Sequence, residues 1–186
     1  RFLLVTGVQT CALPISFEVD GALKTMCILV DTREKKNLHI TDGLQGLQCP
    51  YKSHKLDYGD YSCEWLDGAG ITHSFADRAC IERKANLDEI ALNFTSGRER
   101  FRREFGRAAE SQSKIYLMIE KGSYKDIINH KYRSQYQPNS FLATLWSWQE
   151  EFNMSVNFIP AEYAAMYIKG TLFYALKKYL LTQSEG

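Results

Sequence analysis

The chain has 186 residues, 45% hydrophobic and 24% charged, with 23 Lys plus Arg against 22 Asp plus Glu. An ordinary apolar content with a net charge of +1 excludes an intrinsically disordered chain, and only five cysteines exclude a disulfide scaffold. The size fits one globular domain with a short appendage, and the near-neutral total leaves any charged partner to be argued from local clusters.

Residues 1–16 resemble a secretory signal only superficially. Val5 to Ile15 (VTGVQTCALPI) is the codon-by-codon translation of a common sequencing-library adapter, so this segment reads as a cloning or assembly scar. Residues 17–25 (FEVDGALKT) show no period and read as an irregular leader, with the domain itself expected over 26–183.

Met26 to Val30 is a short apolar run ending in Asp31, the pattern of a strand buried on both faces. A polar turn leads to a short helix expected near His39 to Leu47, a strand around Tyr51 to Leu56 and a turn at Tyr58-Gly59-Asp60. Tyr61 to Leu66 and Ile71 to Phe75 flank Asp67-Gly68-Ala69-Gly70, a hairpin signal. Ala79 to Lys84 is a further strand that passes from apolar into charged residues.

The second half turns helical. Asn86 caps a helix with Asp88 and Glu89 in its first turn, and Ser96 with Glu99 has capping-box spacing for a helix with Phe101, Phe105 and Ala108 on one face. Ile115 to Glu120 is a buried-strand pattern, the QYQPNS loop precedes a helix from Ser140 to about Phe152, and Val156 to Ile159 is a last strand before a C-terminal helix. Strands separated by helices imply an α/β domain with a mixed, largely parallel sheet. Cys27, Cys49, Cys63 and Cys80 contain no C-x-x-C pair and read as buried reduced thiols; the four histidines form no H-x-x-x-H pair and read as surface or capping residues. The apolar stretch Ala161 to Leu181 carries Glu162, Lys169, Lys177 and Lys178, which suits an amphipathic helix and not a bilayer span.

Acidic residues fall where the strands stop: Asp31 with Glu34, Asp60, and Glu82 with Lys84 two positions on. Catalytic groups gather at such ends in open α/β sheets. Two or three carboxylates can hold a divalent cation through hard oxygen ligands, and a nearby Lys can orient a water or neutralise charge in a phosphoryl transition state. Strand alternation puts Glu82 and Lys84 on one face and Arg83 on the other. Taken singly, each of these positions also reads as a turn acid, a strand-end charge or a loop ion pair.

VDTRE (Val30 to Glu34), LDYGDY (Leu56 to Tyr61) and IERKANLD (Ile81 to Asp88) resemble, in order, the motifs of the ERCC4-type nuclease domain, the XPF-like family. Glu82, Arg83, Lys84 and Asp88 fit its E-R-K-x-x-x-D signature, and the similarity continues over about 26–182. The resemblance implies a restriction-endonuclease-like core, with a central mixed sheet flanked by helices. It also implies Mg2+- or Mn2+-dependent hydrolysis of branched or flap DNA in repair or recombination. Carried over by position, it makes Asp31, Asp60 and Glu82 metal ligands and sets Lys84 on the nucleophilic water. Arg33 and Arg83 engage the scissile phosphate or buttress the acids, with Glu34 and Asp88 in support. Arg98, Arg102 and Arg103, and separately Lys121 and Lys125, lie in local basic excesses expected to meet DNA phosphates. The expected partner is branched DNA and no membrane, in a cytoplasmic, nucleoid-associated setting. A homodimer through the helix of Trp146, Trp148 and Phe152, or through the C-terminal helix, stands as a hypothesis. Two alternatives remain open: a catalytically silent ERCC4-type DNA-binding scaffold, and a nuclease without branch specificity.

Overall fold

The computed structural model describes residues 15–184; most of the segment read as adapter-derived lies outside them. In chain order the elements are α1 (Ile15–Lys24), β1 (Cys27–Asp31), α2 (Leu38–Gly46), β2 (Tyr51–His54), β3 (Tyr61–Leu66), β4 (Thr72–Ser74) and β5 (Ala79–Lys84). There follow α3 (Leu87–Phe94), α4 (Arg98–Glu110), β6 (Lys114–Ile119), α5 (Tyr124–Ile128), α6 (Pro138–Glu151), β7 (Met154–Phe158) and α7 (Ala164–Ser184).

The strands form one sheet in the order β2-β1-β3-β5-β6-β7, with β4 paired to β3. The pairs β1–β2, β5–β6 and β6–β7 are parallel, whereas β3 runs antiparallel to β1, β4 and β5. The sheet is therefore mixed as expected, but evenly so instead of largely parallel. The parallel pairs are joined through helices, while β3 is fed by the short turn after β2 and leaves through a hairpin, and connections that short cannot make a crossover.

Each face of the sheet is covered by helices. Ile28, Val30, Tyr61 and Ile81 pack toward Ile40 and Leu44 of α2 and Ile168 and Leu172 of α7. On the other face Cys80, Ile115, Leu117 and Ile119 meet Ile90, Phe94, Phe101, Phe105 and Trp148 from α3, α4 and α6. The aromatic rings there interlock edge to face, with Phe94 and Trp148 centroids 5.0 Å apart. Burying those side chains removes apolar area worth about 1.5–3 kcal/mol for each large residue, before chain entropy is set against it.

Several local expectations need correction. The stretch 17–25 is not irregular but falls largely within α1, because Val19 and Leu23, four residues apart, bury one helical face on the core. Ser96 does not cap α4; Gly97 occupies that position and contributes no side-chain bond. The short α5, capped by the Ser123 hydroxyl accepting from the Asp126 N–H, had no expectation attached to it. Helix α6 begins at Pro138, before Ser140, because Pro at the first turn lacks only an N–H that the helix does not use. Cys49, Cys63 and Cys80 are buried free thiols, and Cys27 is half-buried. Among the described residues no helix is long and apolar enough to cross a membrane.

Candidate active site

The C-terminal ends of β1, β5 and β6 and the start of β3 meet at one edge of the sheet. Asp60, the residue before β3, donates its N–H to the Ile81 carbonyl at 2.8 Å and accepts from the Asp31 N–H at 2.8 Å. Its side chain then does what the next rung of the ladder would do: Oδ2 accepts the Arg83 N–H at 2.8 Å. That bond lays the Asp60 carboxylate along β5 beside Glu82.

Glu82 is only 4% exposed. Its Oε1 accepts from Lys84 Nζ at 2.7 Å, while Oε2 is buried and has no hydrogen-bond partner among the described residues. An orphaned buried carboxylate oxygen costs about 1–3 kcal/mol or more when charged, so its persistence points to a missing partner. Burial, followed by the charge of Glu82, holds Asp60 well above the usual carboxylate range. Burial also raises Glu82, against the pull of Lys84. For Lys84 burial opposes the charge, yet Glu82 and Asp60 outweigh it and keep the ammonium protonated. That ammonium also lies 4.8 Å from the Phe101 ring centroid.

Asp31 is buried and fully engaged. Oδ1 accepts the Arg33 N–H and Nε at 2.7 Å each, and Oδ2 accepts the Leu56 N–H at 2.7 Å and Arg33 Nη2 at 3.1 Å. Arg33 Nη2 also donates to the Leu56 carbonyl at 2.9 Å. Burial raises the Asp31 carboxyl, but these bonds outweigh it and leave it below the usual range. Asp31 and Arg33 thus pin the loop that ends in Asp60.

Arg83 faces the opposite side of the sheet, as alternation requires. Its Nε and Nη2 bind Glu120 at 2.8 and 2.7 Å, and its Nη1 binds Glu34 at 2.8 Å. His39 of α2 closes the network through Nε2 to Glu120 Oε1 at 2.7 Å. The Arg83 guanidinium is thus taken up by Glu120 and Glu34. Asp88 is not drawn into the acidic group; it accepts the Arg133 N–H at 2.6 Å and Arg133 Nε at 3.1 Å.

Three participating residues were not picked out by sequence pattern. Glu120 follows β6, whose neighbour in the sheet is β5, and an acid at the end of an adjacent parallel strand was an available signal. His39, read as a surface or capping residue, sits within an ion-pair network. Glu104, counted only as an offset to arginines, accepts the Gly59 N–H at 3.3 Å, and Arg107 Nη2 donates to the Asp57 carbonyl at 3.1 Å, so α4 grips the same loop.

Gly59 has φ +72°, and a Cβ there would stand 2.9 Å from the Cys80 Cβ and 3.3 Å from the Ile81 carbonyl. Gly59→Ala is expected to destabilise the fold by about 1–3 kcal/mol and to displace Asp60, read as a lower urea midpoint.

Of the basic residues, Arg98 lies 5.3 Å from the Trp148 ring and Arg102 pairs with Glu151. Arg103, Lys121 and Lys125 are exposed. Arg102 and Arg103 line a groove of about 490 Å³ with Arg107 and Phe152, and Lys121 lines one of about 330 Å³ with Asn86, Leu87 and Lys131 just beyond the end of β5.

A seven-stranded mixed sheet between two helical layers, with an Asp and a buried Glu-x-Lys pair at its strand ends, defines an α/β sandwich whose charged groups gather at the strand ends. The sequence profile of the ERCC4 domain matches residues 30–169, and the chain belongs to the ERCC4 domain family. Among solved structures it is similar to XPF from Aeropyrum pernix in complex with DNA, at 18% identity and a TM-score of 0.57, over 84% of this chain. The chain spans 66% of the length of that protein. No curated protein matches it.

Proposed function

We propose that this chain is a Mg2+- or Mn2+-dependent endonuclease that hydrolyses DNA at branches or flaps. The observation that carries the reading is the buried Oε2 of Glu82 beside Asp60, which has no hydrogen-bond partner among the described residues, with the Lys84 ammonium already drawn to the same carboxylates. Among the described residues no three His, Cys, Asp or Glu side chains form a ready-made cage, but the donors present fit a hard cation: two carboxylates, both held above their ordinary range by burial, with the charge of Glu82 adding to the rise at Asp60. Asp60 and Glu82 would hold the ion, with Asp31 acting directly, through water, or through the loop it pins. A divalent cation bound there would polarise a phosphoryl oxygen and acidify a water.

The chain's own residues supply the rest. Lys84 stays protonated, so its work is to orient the nucleophilic water and to neutralise charge on the phosphate in the transition state. Arg33, exposed beyond its pairing with Asp31, can meet the scissile phosphate, while Arg83 and Glu34 keep β5 in place. Arg98, Arg102, Arg103, Lys121 and Lys125 would neutralise DNA phosphates. Asp88 serves indirectly by fixing the Arg133 loop. The similar XPF structure was solved in complex with DNA, which supports DNA as the partner. A homodimer would use α7, where Tyr163 just before it and Met166 and Tyr174 on it are exposed; α6 offers only Trp146, since Trp148 and Phe152 are core.

The test is cleavage of flap, fork, four-way and linear DNA in Mg2+ and in EDTA, run beside Lys84→Ala and Glu82→Gln. Metal-dependent nicking near the branch, lowered about 10²–10³-fold in both variants, is expected. Equal cutting by the variants overturns the site, and equal cutting of all substrates overturns branch specificity.

A further inference from the structure

Glu104 occupies a position that the ERCC4 motifs do not mark. It lies three residues after Phe101, whose ring abuts the Lys84 ammonium, and its Oε1 accepts the N–H of Gly59, the residue before Asp60. The side chain therefore runs from α4 into the gap between the Glu82–Lys84 pair and the Asp60 loop. Its charge bears on Glu82 and on Arg33. The Gly59 bond is long, at 3.3 Å, and occupies one carboxylate oxygen. Independently, the Oε2 of Glu82, a residue 4% exposed, lacks any partner among the described residues. Three carboxylates with Lys84 and Arg33 beside them, Arg33 already committed to Asp31, leave an uncompensated negative charge that a divalent cation, which takes oxygen ligands, would neutralise.

We infer that Glu104 is a third carboxylate of the cation centre, turning from the Gly59 N–H to the ion when the ion binds. This rests on the metal-dependent reading above. Glutamine at 104 still accepts the Gly59 N–H but carries no charge, so it separates a ligand from a brace.

The experiment is titration of the full chain with Mn2+, followed by electron paramagnetic resonance and calorimetry without DNA. Glu104→Gln is expected to weaken Mn2+ binding about tenfold or more, with an unchanged or higher melting temperature in EDTA. Glu104→Asp, which keeps the charge on a shorter arm, should retain part of the affinity. Wild-type affinity in Glu104→Gln overturns the inference, including the case in which only Glu104→Ala is weak, since that outcome assigns Glu104 to bracing alone. Asp60→Asn and Glu82→Gln serve as controls: if they too bind Mn2+ as wild type does, the metal-dependent reading itself fails.

Discussion

Asp60→Asn is expected to lower DNA cleavage about 10²–10³-fold and at the same time to raise the melting temperature of the metal-free protein at pH 8. The two effects share a cause. Burial and the neighbouring Glu82 hold the Asp60 carboxyl well above its ordinary value. A carboxyl raised in the folded state contributes stability that is fully present below its unfolded value, about 3.9, and is lost as pH rises through the folded value. At pH 8, well above the unfolded value, the wild-type fold is therefore penalised for a carboxyl whose charged form it disfavours, and asparagine removes that penalty while its carbonyl can still accept the Arg83 N–H. Asp31 and Glu120, which lie below their ordinary range and lose stability toward acid, are common to both proteins and cancel in the difference. The gap in melting temperature should thus widen from pH 5 to pH 8 in EDTA and narrow on adding Mg2+ to the wild type. A gap that closes with rising pH would contradict the assignment.

Arg83→Met is expected to destabilise the domain by about 3–5 kcal/mol, the usual result of removing one partner of a buried ion pair. Arg83 is 8% exposed, and its guanidinium binds Glu120 through two nitrogens and Glu34 through a third. Methionine fills much of the volume but leaves both carboxylates inside without their cation, with His39 alone beside Glu120. Arg83→Lys should recover only part of the loss, since an ammonium cannot reproduce the planar fork. Urea unfolding at pH 7 measures this. A change below about 1 kcal/mol would mean that the network is solvated and that Arg83 is free to serve elsewhere.

The fold was most legible where local chemistry is decisive. Ala79–Lys84 forms β5 over the span expected, because a short apolar run passing into charged residues marks a strand, although all six of its residues are buried. Asn86 caps α3 as its position foretold, with its side chain accepting the Glu89 N–H at 3.0 Å. Legibility failed for short helices. Helix α5 spans only Tyr124–Ile128, and α1 buries Val19 and Leu23 against elements far along the chain, so neither presents a sustained period. The acid at Ser96+3 promised a cap, yet tertiary packing of Phe101 and Phe105 set the start of α4 one residue later.

The site divides in the same way. The ordered motifs around Asp31, Asp60 and Glu82 carried the resemblance to the family, and alternation by itself placed Glu82 and Lys84 on one face of their strand, because side chains two apart share a face. Only the tertiary structure decided what each group does. Asp31 is spent on Arg33 and Leu56, Arg83 on Glu120 and Glu34, and Asp88 on Arg133, while Glu104 arrives from a helix with no motif to announce it. Spacing fixes which residues travel together along one element. Partners that meet across elements are chosen by packing and by the need to satisfy each buried charge, and one segment of sequence carries no record of the other.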